Sequence, residues 1–266
     1  MQDKSIDLSA DYWNRFGGIA KVYGHSLLHT LAQSHVCIIG LGGVGVWTAE
    51  ALARSGVGQL TLIDLDEICI TNVNRQLHAM SSSVGQAKVD IMAQRIADIA
   101  PECQVNVIQE FFTLKTADRL LEPAFDCVID AIDHTRRKAH LIYQCYQKEM
   151  PIVVSGAAAG LVNPALIKYD DLSLSTHDGL LRWVKKILRK EYGLSRETVW
   201  NIPAVFSKEQ PVYPTPEGGL CRSLGPRKSG RIDCNDGLGT VSFVTGSFGL
   251  MCAHLAIEQI KRTTQS

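Results

Sequence analysis

The chain has 266 residues, 45% of them hydrophobic, and its 27 basic and 27 acidic side chains give a formal net charge of zero. That length can bury the core of one large domain or two small ones, and the balanced charge argues against general adhesion to polyanions. The eight cysteines include no C-x-x-C pair, which suits a reducing cytosol better than a disulfide scaffold or a zinc site. The polar opening residues contain no signal-peptide core, so we expect a cytoplasmic protein.

Strand-like and helix-like segments alternate along the first part of the chain. Apolar runs typical of buried strands cover 36–39, 60–63, 105–108, 126–130 and 151–154, and helical patterns cover 44–54, 84–100 and 136–148. This alternation predicts an α/β fold, with a doubly wound, mostly parallel Rossmann-like sheet that carries helices on both faces. Beyond about residue 170 prolines interrupt the pattern, which predicts a less regular C-terminal extension.

An uncharged stretch, 237–257, is long enough to cross a membrane. Its first part, 240–244, alternates like a strand, Gly246 interrupts it, and a helical pattern then covers 247–262. We therefore interpret the stretch as a buried returning strand and helix, and a membrane span is the weaker alternative.

A glycine-rich loop follows the first predicted strand and precedes the first predicted helix of the alternating region. Gly40, Gly42, Gly43 and Gly45 would let the backbone approach phosphate, whose charge is favoured at a helix N-terminus. Asp64, at the end of the next strand, would accept hydrogen bonds from ribose hydroxyls. These features alone fit an NAD-dependent dehydrogenase equally well.

Polar residues further along the chain favour a nucleoside triphosphate instead. A triphosphate carries more negative charge than a dinucleotide, so cations such as Arg75 and Lys88 are expected near its oxygens. Asn72 could donate a hydrogen bond to the oxygens of the pentavalent phosphorus centre without adding repulsion. Asp133 follows a predicted strand and should project from the carboxyl edge of the sheet, where it would hold Mg²⁺.

Taken together, the motifs at 40–45, 64–66, 71–76, 84–88, 130–133 and 239–246 resemble the ubiquitin-activating-like (HesA/MoeB/ThiF) adenylating family. The resemblance implies ATP-dependent activation of a carboxylate as an acyl-adenylate, with release of pyrophosphate, by a homodimer. By matching position it implies an ATP site made of Gly40, Gly42, Gly43, Gly45, Asp64, Asp66, Asn72, Arg75, Gln76, Lys88 and Asp133. Within that set it implies catalytic roles for Asn72, Arg75, Lys88 and Asp133, with Asp133 as the Mg²⁺ ligand.

Two departures from the MoeB-like pattern narrow the resemblance. MoeB-like members carry two C-x-x-C zinc pairs in the later half, and this chain has none, so we expect no zinc. Of their Arg-Tyr-Asn-Arg stretch, which supplies a cation to the partner subunit's ATP, only Arg15 matches within 15–18. Arg15 is thus the candidate for a cation acting across the dimer.

These departures and a basic later segment resemble the tRNA threonylcarbamoyladenosine dehydratase branch of the family. The resemblance implies that the threonine carboxylate of the modified adenosine is adenylated and then attacked intramolecularly, giving the cyclic form, AMP and pyrophosphate. It also points to a monovalent cation as a cofactor, and to a cysteine desulfurase with its sulfur acceptor as partners.

The basic segment supports a nucleic-acid substrate independently of that likeness. Between residues 182 and 231 there are 11 Lys and Arg against 4 Asp and Glu. The candidate tRNA-binding cations lie on one predicted helix face (Arg182, Lys185, Lys186, Arg189, Lys190) and in a Gly/Pro-rich loop (Arg222, Arg227, Lys228). Clustered cations bind RNA through counterion release, although a solvated helix face and a membrane-surface helix remain alternatives.

We expect one adenylating domain over 1–266. Its parts are a nucleotide-binding core at 30–170, a basic substrate-facing segment with a flexible loop at 171–231, and a returning strand with the C-terminal helix at 232–266.

Two other functions stay open at this point. The chain could adenylate the C-terminal carboxylate of a small ubiquitin-like sulfur-carrier protein, or it could be a non-catalytic nucleotide-binding scaffold. The first leaves the basic segment unexplained. A thioester at Cys234 is disfavoured, because Asp233 and Asp236 should raise the pKa of its thiol and an intramolecular cyclisation needs no thioester.

Overall fold

The computed structural model describes residues 7–215, 217–222 and 238–263. In chain order its helices and strands are α1 (Ala10–Tyr23), α2 (His25–Gln33), β1 (His35–Ile39), α3 (Gly45–Arg54), β2 (Gln59–Ile63), α4 (Lys88–Ile99), β3 (Gln104–Ile108), α5 (Ala117–Leu120), β4 (Cys127–Asp130), α6 (Thr135–Gln147), β5 (Ile152–Ser155), β6 (Ile167–Asp171), α7 (Gly179–Lys190), β7 (Pro203–Ser207), β8 (Tyr213–Pro214), β9 (Leu220–Cys221) and α8 (Ser242–Thr263). Strands and helices alternate from β1 to β5, as the hydrophobic pattern predicts.

The main sheet has seven strands in the order β3-β2-β1-β4-β5-β7-β6. Its pairs are parallel apart from β6 with β7, so the predicted doubly wound, mostly parallel fold is confirmed. The chain order reverses between β1 and β4, and in such sheets ligands bind beside the carboxyl ends of the strands at that point.

Apolar side chains fill a layer on each face of this sheet. On one face Val36 and Ile38 of β1 belong to a core that includes buried residues of α3, α4 and α8. The alternate residues Cys37 and Ile39 point the other way, into a core shared with α6 and α7. The predicted helices on both faces are therefore present.

The predicted returning strand at 240–244 is wrong, because α8 begins at Ser242 and continues without a break to Thr263. Gly246 and Gly249 do not interrupt this helix but let it approach α3. A Cβ at Gly249 would lie 2.6 Å from Val44 O and from Trp47 Cβ, so no larger residue fits there. Packing against α3 thus decides the conformation, and the short alternation of polar and apolar residues does not.

Helix α8 is also long and apolar enough to cross a membrane by length and composition. More than half of its most apolar window, 61%, is buried inside the protein, and the helix packs against α3 and the sheet. The described part of the stretch 237–257 therefore lies largely in the core, as the sequence predicts.

The helix predicted over 84–100 is shorter at its start than the pattern indicates. Gly85 adopts a φ of +83°, in the left-handed region, and α4 begins at Lys88. Lys88 consequently occupies the first turn of a helix whose N-terminus faces the ligand edge of the sheet.

Candidate functional site

Three glycines of the loop after β1 meet different structural requirements. Gly40 has a φ of +95°, and a Cβ there would lie 2.8 Å from Ala131 O, so only glycine fits between β1 and the end of β4. A Cβ at Gly45 would overlap the carbonyl oxygen of Gly40. Gly42 has open space around it, which leaves its backbone accessible to a ligand.

The loop forms one wall of a cleft of about 480 Å³ at the point where the strand order reverses. The cleft is lined by ten of the eleven residues predicted for the ATP site, namely Gly40, Gly42, Gly43, Asp64, Asp66, Asn72, Arg75, Gln76, Lys88 and Asp133. The eleventh, Gly45, lies behind the loop at the start of α3 and serves its packing.

Asp64 holds the glycine loop in place before any ligand binds. One carboxylate oxygen accepts a hydrogen bond from the N–H of Leu41 at 2.6 Å, and the other accepts from the N–H of Asp66 at 2.8 Å. Burial raises the pKa of Asp64, and the nearby Lys88 ammonium opposes that rise. Lys88 itself is buried at the start of α4, where its Nζ lies 2.7 Å from Asp66 Oδ2.

Asn72 and Arg75 are oriented by the short 3₁₀ turn Ile70–Asn72 and the residues after it. The Asn72 side-chain oxygen accepts from the N–H of Cys69 at 3.0 Å, which leaves the NH₂ group for the cleft. Arg75 Nη1 donates to Thr71 O at 2.8 Å and to Asn74 Oδ1 at 3.0 Å. The cation is thereby fixed at the cleft wall, with other guanidinium N–H groups available to an anion.

A buried ion pair, which the sequence reasoning missed, supports the floor of the cleft. Lys138 Nζ lies 2.9 Å from Asp130 Oδ1, and both side chains are completely buried. The same ammonium donates to the carbonyls of Asp130 and Ile132 at 3.1 and 2.9 Å, which fixes the segment leading to the exposed Asp133. The helical period could have revealed it, because Lys138 shares a face of α6 with buried Leu141.

Asp178 was likewise missed and shapes the opposite wall. Its Oδ1 accepts from the N–H of Leu181 at 2.9 Å, which caps α7, and its Oδ2 accepts from the N–H of Ala157 at 2.8 Å. A Cβ at Gly156 would overlap this carboxylate. An aspartate followed by a helical pattern is a recognisable N-cap signal, but its second bond, to the cleft wall, is long-range and leaves no local trace.

The structure divides the five predicted cations of α7 into two sets. Arg182, Lys186 and Lys190 are exposed. Lys185 instead donates to Ser175 O at 2.5 Å, and burial followed by the proximity of Arg189 lowers its pKa. Arg189 places its guanidinium 5.2 Å from the centre of the Trp200 ring, with Nε buried. Lys185 and Arg189 thus make contacts within the protein that the other three do not, and the assignment of all five to an RNA stays a prediction.

The remaining predicted positions lie away from the cleft or outside the described residues. Arg222 donates to Gln210 O at 3.2 Å, whereas Arg227, Lys228 and Cys234 are outside the described ranges. Arg15 does not line the cleft. It pairs with Asp11 at 2.7 Å and donates to Ile99 O on α4.

Carboxylates for a metal ion are sparse in the described part of the chain. No group of three or more His, Cys, Asp or Glu side chains there is arranged to hold a metal ion by itself. Asp133 is exposed and lines the cleft, so it could supply one carboxylate to an ion whose other ligands come from phosphate and water.

The comparisons with known proteins agree with this geometry. A model of the ThiF family matches residues 17–265. The tRNA threonylcarbamoyladenosine dehydratase of Escherichia coli (strain K12) is 39% identical, over 96% of this chain and 97% of that protein. The crystal structure of the E. coli enzyme TcdA in complex with ATP matches with a TM-score of 0.87 and 35% identity, covering 98% of this chain and 99% of that one. The molybdopterin-synthase adenylyltransferase of E. coli is 33% identical, over 48% of this chain and 51% of that protein.

Proposed function

This chain belongs to the ThiF family, and we propose that it uses ATP to adenylate the threonine carboxylate of threonylcarbamoyladenosine in tRNA and then closes the ring. The observation that carries the adenylation is the single cleft in which the glycine loop, Arg75 and Lys88 meet at the switch point of the sheet. The tRNA substrate is supported by the likeness to the E. coli dehydratase over 97% of its length.

In the first step a carboxylate oxygen attacks the α-phosphorus of ATP, and the bond to pyrophosphate breaks. The backbone of the glycine loop and the start of α3 would bind phosphate, and Asp64, already tied to Leu41, would accept from ribose. Arg75 and Lys88 would stabilise the negative charge that develops on the departing pyrophosphate. The NH₂ group of Asn72 is free to bond a phosphoryl oxygen.

In the second step an atom of the carbamoyl group attacks the activated acyl carbon, and AMP leaves with one former carboxylate oxygen. The net change in the nucleoside is the loss of one water. No enzyme nucleophile is required, which agrees with the lack of a role for Cys234 in the sequence interpretation.

Mg²⁺ would supply charge neutralisation on the triphosphate, and Asp133 is the residue that would hold it. One carboxylate combined with phosphate oxygens and waters is a usual magnesium environment, so the exposed Asp133 at the cleft fits the ion.

We further propose that each chain forms one adenylating domain over 1–266 and that two chains assemble as a homodimer in the cytoplasm. Because Arg15 lies outside its own cleft, on the surface near α4, it could reach ATP only in a second copy of the chain. The monovalent cation and the cysteine desulfurase with its sulfur acceptor stay predictions from the family resemblance.

The substrate is tested by incubating the protein with ATP and tRNA that carries threonylcarbamoyladenosine. We expect the nucleoside to become lighter by one water, with AMP formed only when both are present. Asp133→Ala should remove most of this activity. A carrier-protein substrate is less supported, since the match to the molybdopterin-synthase adenylyltransferase covers about half the chain. It would be indicated by AMP formation with a carrier and not with tRNA.

A further inference from the structure

A shallow groove of about 520 Å³ lies between the first turn of α6 and the outer face of α7. It is lined by Thr135, Arg136, Trp183, Lys186, Ile187, Lys190 and Glu191. Three of these residues are basic and one is acidic, and the acid, Glu191, lies 4.0 Å from Arg136. The groove thus combines an excess of positive charge with one large aromatic side chain.

We propose that this groove is a subsite for the tRNA, in which Trp183 stacks on an unpaired base adjacent to the modified nucleotide. In this subsite Lys186, Lys190 and Arg136 contact the backbone phosphates. The inference rests on the proposed function, because it assigns a binding site to the same RNA substrate.

The side chain of Trp183 is placed for stacking. It is 50% exposed, whereas its neighbours Leu181 and Val184 are fully buried in the core. Lys186 Nζ lies 4.3 Å from the centre of the Trp183 ring, so a cation is already held against the aromatic system. Proteins that bind unpaired nucleotides combine these two elements, because every base has a face that stacks and every nucleotide carries a phosphate.

The position of the groove relative to the cleft supports the assignment. At the start of α6, the capping residue His134 and Arg137 line the cleft while Arg136 lines the groove. Along α7, Leu180 lines the cleft and Trp183 lines the groove, a separation of three residues or about 5 Å of helix rise. The groove therefore adjoins the cleft along both helices, as a subsite for a neighbouring nucleotide requires.

The same observations argue against a membrane or a protein as the occupant. A membrane-surface helix inserts an apolar face, but the apolar face of α7, formed by Leu181, Val184 and Leu188, is buried in the core that α7 shares with α6. A protein interface typically has an apolar centre from which charged residues are depleted. Trp183 alone would suit a protein interface, but the flanking Lys186 and Lys190 are of a residue type that such interfaces deplete.

The test uses Trp183→Ala and Trp183→Phe, with Tyr146→Ala as the matched control. Tyr146 is a comparably exposed aromatic residue, 46%, near the opposite end of α6. The probe is a purified tRNA that carries threonylcarbamoyladenosine, and its Kd is measured over a series of salt concentrations. Urea denaturation of each variant confirms that the fold is retained.

We expect Trp183→Ala to weaken binding about tenfold at every salt concentration, with the slope of log Kd against log salt unchanged. Trp183→Phe should retain most of the affinity and Tyr146→Ala all of it. Lys186→Met should instead make this slope less steep, by about the amount expected for the loss of one phosphate contact. The kcat/KM for tRNA should fall with Trp183→Ala, whereas kcat at saturating tRNA should change little.

Unchanged tRNA affinity in Trp183→Ala, or equal losses in Trp183→Ala and Tyr146→Ala, would overturn the subsite. If Trp183→Ala kept full tRNA affinity but lost binding to a protein partner, the groove would belong to that partner and the subsite would also be overturned. Failure of the proposed function looks different, because the wild type itself would then form no AMP with tRNA.

Discussion

The cleft and the outer face of α7 both carry cations, but they hold them in different ways. In the cleft, Lys88 is buried and paired with Asp66, and Arg75 is tied to backbone and side-chain acceptors of its own turn. On α7, Lys186 and Lys190 are exposed. The first arrangement fixes geometry for one small ligand, whereas the second offers charge to a long polyanion without fixing its position. Substitutions in the cleft should therefore change catalysis, whereas substitutions on α7 should change the affinity for RNA and its salt dependence.

The largest effect is expected beneath the cleft. Lys138→Met should lower the free energy of unfolding by about 3–5 kcal/mol, because it leaves the Asp130 carboxylate buried without its cation. The double variant Lys138→Met with Asp130→Asn should recover part of this loss. Urea denaturation measures both, and a single variant as stable as the wild type would show that the pair does not support the cleft floor.

The next effect is on chemistry rather than stability. Arg75→Ala should lower kcat for tRNA-dependent AMP formation roughly 100-fold, because a positioned donor to the developing charge is lost. Arg54→Ala is the matched control, since Arg54 lies at the far end of α3 and its partner Glu50 keeps two hydrogen bonds from Arg95. Equal activity of the two variants would contradict a catalytic role for Arg75.

The stability of the protein should also depend on pH, through the buried His78. Burial, with Lys88 nearby, lowers the pKa of His78 from 6.5 to about 4. Between these values the unfolded chain binds a proton that the folded protein does not, so stability falls as the pH drops through this window. His78→Gln should remove about 2 kcal/mol of the difference in unfolding free energy between pH 7.5 and pH 5. An unchanged pH dependence would contradict the lowered pKa.

The smallest effects separate two adjacent lysines of α7. Lys185→Met should lower the free energy of unfolding by about 1 kcal/mol, because it removes a donor to Ser175 O, and should leave the salt dependence of tRNA binding unchanged. Lys186→Met should leave the free energy of unfolding unchanged. It should make the slope of log Kd against log salt less steep, by about the amount expected for one lost phosphate contact. If Lys185→Met reduced the salt dependence and Lys186→Met reduced the stability, the assignment of Lys185 to the protein and of Lys186 to the RNA would be wrong.

The sequence predicts the cleft well because its features are local. The glycine loop needs a strand before it and a helix after it, and that arrangement is visible in the order of residues around Gly40. The failures depend on tertiary packing. The burial of Lys138 requires the Asp130 carboxylate, which lies at the end of the preceding strand β4, and the helical conformation at 242–246 depends on the close approach of α3.

Helix α7 shows the same limit of prediction from the sequence, at the level of single residues. The helical period accounts for the buried stripe of Leu181, Val184 and Leu188. It cannot tell Lys185 from Lys186, because the side of the basic face that meets protein depends on Ser175, which lies outside the helix. Single-residue assignments on such a face require the tertiary structure.

The central claim, that this protein adenylates a carboxylate of tRNA, is tested most directly by isotope transfer. The tRNA is prepared with isotopically heavy oxygen in the threonine carboxylate of threonylcarbamoyladenosine, and the AMP formed with ATP is analysed by mass spectrometry. Attack of the carboxylate on the α-phosphorus predicts that each AMP carries one heavy oxygen. AMP that contains only ordinary oxygen, formed while the tRNA loses water, would contradict the account.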